Sequence, residues 1–218
     1  MRIDIKDYTK KFKKNIVLDK ISLTMESGNI YGLQGHNGSG KTMLMRAICG
    51  LILPDSGYIE IDGKKLGKDI SFPASLGFLL ESPSFLGDFS ALENLKKLNS
   101  LKNKTKEENL CQLLLQVGLD PYDRKKYKKF SLGMKQKLGI ACAIMDSPKL
   151  ILLDEPFNAL DKDSIQAIKN IILQLKSSER IIILSCHNGN DLMQLSDIIF
   201  ELDNGKLIKS RNEDCYET

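Results

Sequence analysis

The sequence predicts an α/β fold with a mixed parallel sheet at its core, an N-terminal antiparallel β subdomain and an inserted helical subdomain. Three observations support this prediction. Apolar runs of strand length, such as residues 150–153 and 181–186, alternate with helical segments, which is typical of a parallel sheet covered on both faces. Turn dipeptides between short strand-like runs indicate antiparallel hairpins. The region from 85 to 145 is rich in helical patterns.

Hairpin signals fall near both ends of the chain. The dipeptides Asp62-Gly63 and Asn204-Gly205 each lie between two short strand-like runs, which is the pattern of a two-residue β-turn. The first twelve residues alternate apolar and polar side chains, as a half-buried strand does. Antiparallel strands are therefore expected near the N-terminus and again near the C-terminus.

The middle of the chain carries helix signals. Ser90 and Glu93 form a capping box, and leucines follow at helical spacing at positions 92, 95, 98 and 101. A second helical run covers residues 107–117 and ends at Gly118. A length of 218 residues with 42% hydrophobic content suits one domain with an inserted lobe. We therefore predict a single domain, with residues 1–84 and 146–218 in the core and residues 85–145 in the helical subdomain.

Composition narrows the function classes. The longest apolar runs fall far short of the roughly 18 residues of a membrane span. The N-terminus lacks the apolar stretch of a secretory signal, so we expect a soluble, cytoplasmic chain. Its five cysteines show no metal-ligand spacing, which favours reduced thiols. A net charge of +4 is mildly basic, and no nucleic-acid partner is expected.

The strongest chemical motif is GHNGSGKT, residues 35–42, which matches the pattern GxxxxGK[ST]. A strand-like segment precedes it and a helix-like segment follows it. The glycines let the backbone curl, so that successive N–H groups point at phosphate oxygens near the positive end of the helix. The motif predicts a phosphate-binding loop, and residues 35–42 are called the phosphate loop below.

Two side chains of the phosphate loop have expected chemical roles. Lys41 is placed to reach the β and γ phosphates of a nucleotide, and the hydroxyl of Thr42 is placed to hold Mg²⁺. His36 also lies within the loop. A solvent-facing spacer describes it better than a catalytic imidazole.

A second set of polar residues follows the apolar run LILLDEP, residues 150–156. Ligands bind at the carboxyl ends of parallel strands, where this run delivers two acids. Asp154 is expected to bind Mg²⁺ through water, and Glu155, pointing the other way along the strand, is expected to polarise an attacking water. His187 ends the next apolar run, where a neutral imidazole could donate to the γ-phosphate.

These ordered motifs resemble those of the ATP-binding cassette (ABC) ATPases, and the likeness covers nearly the whole chain. GHNGSGKT resembles Walker A and LILLDEP resembles Walker B, while residues 158–161 resemble the D-loop and residues 185–187 the switch histidine. The resemblance implies a P-loop NTPase core that hydrolyses ATP with Mg²⁺. It implies a catalytic set of Glu155, His187 and Lys41. It assigns nucleotide binding to His36, Asn37, Gly38, Ser39, Gly40, Lys41, Thr42 and Met43.

The stretch SLGMKQK, residues 131–137, is similar to the family signature LSGGQ and the helix start after it. It keeps Ser131 and Gly133 but has Leu132 and Met134 in place of Gly and Gln. In this family two cassettes pair head to tail, and the signature of one closes over the ATP of the other. The resemblance therefore implies that Ser131 and Gly133 bind ATP held by a partner cassette.

Other family positions are also matched. Phe12 occupies the position of the adenine-stacking aromatic, with Tyr8 as the alternative, and Val17 would line the same face. In the loop covering residues 77–83, Glu81 takes the place of the usual glutamine and becomes a candidate metal ligand beside Thr42 and Asp154. An exposed loop carboxylate without such a role is the competing interpretation. The pairing of LLESPSF with SLGMKQ resembles cassettes that export bacitracin- and lantibiotic-type peptide antibiotics.

The expected function is that of an ATP-hydrolysing subunit that energises export through a separate membrane permease. Its expected partners are a second cassette, forming a homodimer, and the permease itself, which would hold the chain at the inner face of the cell membrane. An alternative is an ABC ATPase that remodels a nucleic-acid or ribosomal complex. Such proteins usually carry two cassettes or long inserted coils, and this sequence shows neither.

Overall fold

The structure, a computed structural model, describes residues 1–101, 105–186 and 188–212. Its strands are β1 (Arg2–Phe12), β2 (Asn15–Glu26), β3 (Ile30–Gln34), β4 (Ser56–Ile61), β5 (Lys64–Lys65), β6 (Leu76–Leu79), β7 (Leu150–Leu153), β8 (Ile181–Ser185), β9 (Ile198–Asp203) and β10 (Lys206–Asn212). Its α-helices are α1 (Lys41–Ile48), α2 (Ala91–Asn99), α3 (Glu107–Gln116), α4 (Leu132–Ile144), α5 (Lys162–Leu175) and α6 (Gly189–Leu195).

The larger sheet has the strand order β10-β9-β3-β8-β7-β6. Its first five strands in chain order, β3, β6, β7, β8 and β9, pair in parallel, and β10 closes one edge as an antiparallel hairpin with β9. The predicted mixed parallel sheet is confirmed. Because parallel strands share one direction, the carboxyl ends of β3, β7, β8 and β9 lie at a common edge, where ligands of such sheets bind.

The smaller sheet is antiparallel, with the order β2-β1-β4-β5, and it includes the N-terminal strand that the alternation predicts. The two predicted hairpin turns both form, one between β4 and β5 and the other between β9 and β10. The predicted antiparallel β subdomain near the N-terminus is therefore confirmed.

The larger sheet is buried on both faces, as its continuous apolar strands require. In β7, Leu150 and Leu152 pack with α1 and the smaller sheet, while Ile151 and Leu153 pack with α4 and α5. β8 alternates in the same way. α1 is thus held between two sheets, which fixes the direction of the phosphate loop at its start.

Helices α2, α3 and α4 lie between β6 and β7 in the sequence. The Ser90 hydroxyl accepts from the Glu93 N–H at 3.3 Å, and the Glu93 carboxylate accepts from the Ser90 N–H at 2.6 Å, so the capping box is confirmed. α2 ends at Asn99, and Leu101 is exposed rather than packed in the periodic leucine face. None of the helices in the described ranges has the length and apolarity that crossing a bilayer requires.

Candidate functional site

The phosphate loop connects the end of β3 to the start of α1. Gly40 caps α1 with a φ of 110°, a left-handed conformation that a residue with a side chain adopts only at a cost. The first N–H groups of α1 have no partners within the helix and point toward the loop. This local geometry is that of an anion-binding helix start.

Lys41 is the first residue of α1, and its side chain is buried. Its ammonium group donates to the carbonyl oxygens of Gly35 at 2.7 Å and of His36 at 3.1 Å. The loop therefore folds around its own lysine and keeps the positive charge at the loop centre. That position suits the phosphates of a nucleotide, which would compete for the same ammonium group.

The carboxyl group of Asp154 joins the ends of two strands to the start of α1. One of its oxygens accepts from the Thr42 hydroxyl at 2.5 Å, and the other accepts from the Ser185 hydroxyl at 2.5 Å. Asp154 and Ser185 are both buried, so these hydrogen bonds offset the cost of removing a carboxyl group from water. The contacts tie the ends of β7 and β8 to the start of α1.

Glu155 lies in the turn after β7, with a φ of 50°. A left-handed conformation of this kind costs about 1–2 kcal/mol for a residue with a side chain. The Glu155 N–H donates to the Ser185 hydroxyl at 3.0 Å, and its carbonyl oxygen accepts from the Gln136 side-chain amide at 3.0 Å. Alternation along the strand predicted the direction of the Glu155 side chain, but β7 ends at Leu153 and the turn after it sets that direction instead.

These residues surround one cavity of about 330 Å³, a volume within the usual range of small-molecule sites. Nine of the residues singled out from the sequence line it: Val17, Asn37, Gly38, Gly40, Lys41, Thr42, Met43, Asp154 and Glu155. They come from β2, the phosphate loop, α1 and the turn after β7. The fold thus brings together side chains that lie more than a hundred residues apart in the sequence.

Two other phosphate-loop residues, His36 and Ser39, do not line this cavity. The ring of His36 contacts the Asp203 carboxylate at 2.8 Å and the Asn37 carbonyl oxygen at 2.7 Å. Ser39 is fully buried. Both residues contribute to the loop through their backbone, and His36 has no position for a catalytic imidazole.

The two candidate adenine-stacking aromatics differ sharply in exposure. Phe12 lies near the tip of the β1–β2 hairpin and is 45% exposed. Tyr8 is buried, and its hydroxyl donates to the Ile52 carbonyl oxygen at 2.9 Å. Tyr8 is a core residue that cannot stack on a base, so only Phe12 stays a candidate.

Glu81 follows the end of β6, and residues 77–79, which the sequence placed in a loop, belong to that strand. The Glu81 carboxylate forms an ion pair with the Arg46 guanidinium of α1 at 2.6 Å, and its side chain is 60% exposed. It does not line the cavity. His187, the remaining catalytic candidate, lies outside the described residues.

The stretch that resembles the family signature starts α4. The Ser131 hydroxyl caps this helix by accepting the Met134 N–H at 3.2 Å. A side chain on Gly133 would approach the Ala159 carbonyl oxygen to 2.7 Å, which explains the glycine by close packing on the turn after β7. Neither Ser131 nor Gly133 lines the cavity of this chain.

Sequence reasoning missed two residues that shape the site. Ser185 is the only hydroxyl in the apolar run IIILS, and a polar residue at the end of a buried strand could have indicated a hydrogen-bonding role. Gln136 is buried one turn into α4, and nothing in its local pattern points to Glu155. Both act on the turn that carries Glu155, because they bond its N–H and its carbonyl.

Comparison with known proteins identifies the class of the chain. The family model for ABC transporters matches residues 18–158, and the chain belongs to this family. It is an ATP-binding cassette of the ATP-hydrolysing kind. A solved ATP-binding subunit of an ABC transporter has the same fold, with a TM-score of 0.88 and 27% identity over 98% of this chain and 91% of that one.

Curated relatives extend over nearly the full chain. The ABC transporter ATP-binding protein YybJ of Bacillus subtilis is 46% identical over 205 residues, 94% of each protein. The lantibiotic transport ATP-binding protein SrtF of Streptococcus pyogenes is 34% identical, covering 99% of this chain and 93% of that protein. The bacitracin transport ATP-binding protein BcrA of Bacillus licheniformis is 37% identical, covering 93% and 67%. The family and branch predicted from the sequence motifs are confirmed.

We predict that Ser185→Ala lowers both the stability of the fold and the rate of ATP hydrolysis. The substitution leaves the partly buried Glu155 N–H without its acceptor, which should lower the free energy of unfolding by about 1–3 kcal/mol. ATP turnover should fall by about ten- to a hundredfold, because Glu155 loses its fixed position. Urea denaturation and steady-state ATPase assays measure the two effects.

Ser22→Ala is the matched control for Ser185→Ala. The Ser22 hydroxyl also accepts a backbone N–H, from Asp7 at 2.9 Å, and donates to a carboxylate, but it does so on the exposed surface. Its loss should change stability by no more than about 0.5 kcal/mol. Equal effects of the two substitutions, or wild-type turnover in Ser185→Ala, would contradict the role given to Ser185.

Proposed function

We propose that this chain is the ATP-hydrolysing subunit of a transporter that exports a peptide antibiotic or another drug through a separate membrane permease. The observation that carries the proposal is the bonded group formed by Thr42, Asp154, Ser185 and Glu155 at the edge of the phosphate-loop cavity. In this proposal Asp154 is the acid for Mg²⁺, Glu155 is the acid for the attacking water, and Lys41 binds phosphate.

The residues at this edge suit Mg²⁺ bound with ATP. Thr42 and Asp154 offer hydroxyl and carboxyl oxygens, which are the donors that Mg²⁺ prefers, and their oxygens lie 2.5 Å apart. When bound, the ion would neutralise charge on the β and γ phosphates. In this proposal Lys41 binds the phosphates, Glu155 orients the attacking water, and His187 donates to the γ-phosphate.

The base and sugar of the nucleotide would lie toward the smaller sheet. Val17 lines the cavity on that side, and Phe12 offers an exposed aromatic ring near the tip of the same hairpin. An aromatic face of this kind suits stacking with adenine. Met43 and the phosphate-loop backbone from His36 to Gly40 would complete the contacts on the phosphate side.

A second cassette is needed to complete the site. The N-terminus of α4 presents Ser131 and the N–H of Gly133 away from the cavity of its own chain, as donors for an anion. Two copies paired head to tail would bring this helix start over the phosphates held by the other copy. We therefore infer a homodimer, whose closure on ATP and reopening after hydrolysis would move the permease.

The proposed substrate class and location rest on the relatives. Proteins named for lantibiotic and bacitracin transport match nearly the whole of this chain, which favours export over remodelling of a nucleic-acid or ribosomal complex. The permease would hold the chain on the inner face of the cell membrane. In this arrangement residues 1–84 and 146–218 form the nucleotide-binding core, and residues 85–145 form the helical subdomain that faces the permease.

Glu81 is proposed as a metal-sensitive link between the site and the helical subdomain. Its ion pair with Arg46 is exposed, and such pairs contribute only about 0–1 kcal/mol, so it can be exchanged for another partner. Mg²⁺ bound with ATP would attract the Glu81 carboxylate. The loop of residues 80–85 would then move, and α2 behind it would carry the movement to the permease.

Glu155→Gln should leave ATP binding intact and lower hydrolysis by roughly 10²- to 10⁴-fold, the usual contribution of a positioned general base. It should also trap a closed ATP-bound dimer, visible by gel filtration. Glu179→Gln, on the exposed surface, is the control. Near wild-type hydrolysis in Glu155→Gln would refute the assignment.

Lys41→Ala should instead abolish ATP binding, because the cation facing the phosphates is lost.

Glu81→Ala should raise the Mg²⁺ concentration needed for half-maximal ATPase activity and reduce stimulation by the permease, since a proposed ligand is removed. Glu81→Gln keeps one neutral oxygen and should fall between Glu81→Ala and the wild type. Asp88→Ala removes another exposed ion pair, with Lys128 at 2.5 Å, and serves as the control. If both Glu81 variants keep the wild-type Mg²⁺ midpoint and stimulation, Glu81 is neither a ligand nor a coupling residue.

A further inference from the structure

Asp203, the last residue of β9, and the two turn residues Asn204 and Gly205 that lead to β10 are together called the clamp turn here. β9 runs parallel to β3, with Gln34 opposite Glu201, so the clamp turn lies at the carboxyl edge of the sheet beside the phosphate loop. None of its residues lines the nucleotide cavity. A role in ATP binding must therefore be exerted through the residues that the clamp turn contacts.

Two contacts join the clamp turn to the phosphate loop. The Asp203 carboxylate lies 2.8 Å from Nε2 of His36, and the Gly205 N–H donates to the Ser39 carbonyl oxygen at 2.9 Å. The Asn204 side-chain amide donates to the second oxygen of Asp203 at 3.2 Å, which orients the carboxylate. The carbonyl oxygen of His36 in turn accepts from Lys41 at 3.1 Å.

Further contacts join the clamp turn, and the residue after it, to β2, which supplies another wall of the cavity. The Gly205 carbonyl oxygen accepts from the Asp19 N–H at 2.8 Å. Lys206, the next residue, forms an ion pair with the Asp19 carboxylate at 3.5 Å. Gly205 packs directly against the backbone of Val17, and Val17 lines the cavity.

We propose that Asp203 and Gly205 are positioning residues for ATP, holding the phosphate loop and the Val17 wall at a fixed separation before the nucleotide arrives. A loop that is already in its bound conformation does not have to be ordered on binding, so the affinity is higher. The inference rests on the ATP site proposed above. It adds to that site a group of residues that touch no nucleotide.

The chain contains a natural comparison for Gly205. Asp62-Gly63 in the β4–β5 hairpin has nearly the same backbone as Asn204-Gly205, with φ values of 48° and 77° against 46° and 77°. A side chain at Gly63 would meet no atom within 4 Å, whereas at Gly205 it would approach the Val17 carbonyl oxygen to 2.6 Å. An alanine should therefore strain the backbone equally at both sites. Only at Gly205 would its methyl group also collide with the Val17 backbone that lines the cavity.

The test compares Gly205→Ala with Gly63→Ala in the full chain, using steady-state ATPase kinetics and thermal unfolding. Both variants should unfold at a lower temperature than the wild type. Gly205→Ala should raise the KM for ATP by about two- to tenfold, the effect expected if the added methyl displaces Val17 and weakens one hydrogen bond of the clamp turn, with little change in kcat. Gly63→Ala should keep the wild-type KM. A wild-type KM in Gly205→Ala, or an equal rise in both variants, would overturn the proposal.

Asp203 variants keep the test decisive if Gly205→Ala does not fold. Asp203→Ala removes the acceptor for His36 and should raise the KM for ATP, while Asp203→Asn retains an oxygen and should restore most of the loss. A wild-type KM in Asp203→Ala would overturn the proposal.

Lys41→Ala distinguishes failure of the clamp-turn proposal from failure of the proposed ATP site. If Lys41→Ala loses ATP binding while the turn variants keep the wild-type KM, the clamp-turn proposal is wrong and the ATP site stands; if Lys41→Ala keeps ATP binding, both proposals fail.

Discussion

The Asp154 carboxyl group is the point on which the rest of the site depends. It is buried, and burying such a group without partners would cost several kcal/mol, so the two hydroxyls that bond it are part of the fold as well as of the site. Through Thr42 it fixes the start of α1, and through Ser185 it fixes the turn that holds Glu155. The same two hydrogen bonds thus set the relative positions of the phosphate loop, Asp154 and Glu155.

The two-sheet architecture explains why a short loop can hold this geometry. The phosphate loop emerges from β3 at the centre of the larger sheet and enters α1, which is packed between both sheets. The smaller sheet contributes the Val17 wall, and the β9–β10 hairpin touches the loop and that wall together. The helical segment leaves the larger sheet after β6, near Glu81, and returns to it at β7.

Local signals in the sequence were sufficient where the structure depends on neighbouring residues. The phosphate loop, the two hairpin turns and the Ser90 capping box each follow from a few adjacent residues, and each forms as expected. Contacts between distant segments were not visible. Ser185 bonds Asp154 across 31 positions, and Asp203 reaches His36 across 167, so no spacing rule connects them. β2 was not predicted, although Ile21, Leu23 and Met25 alternate with exposed polar residues along its second half.

The most direct test measures ATP binding to Asp154→Asn by calorimetry, once with Mg²⁺ and once with EDTA. It asks whether the carboxyl group that stabilises the fold also binds the metal ion. The asparagine can still accept from Thr42, so the chain should fold and bind metal-free ATP with nearly wild-type affinity. The gain in affinity that Mg²⁺ gives the wild type should disappear, because a carbonyl oxygen replaces the carboxylate. Asp69→Asn, in an exposed turn, should keep that gain. A full Mg²⁺-dependent gain in Asp154→Asn would contradict the account.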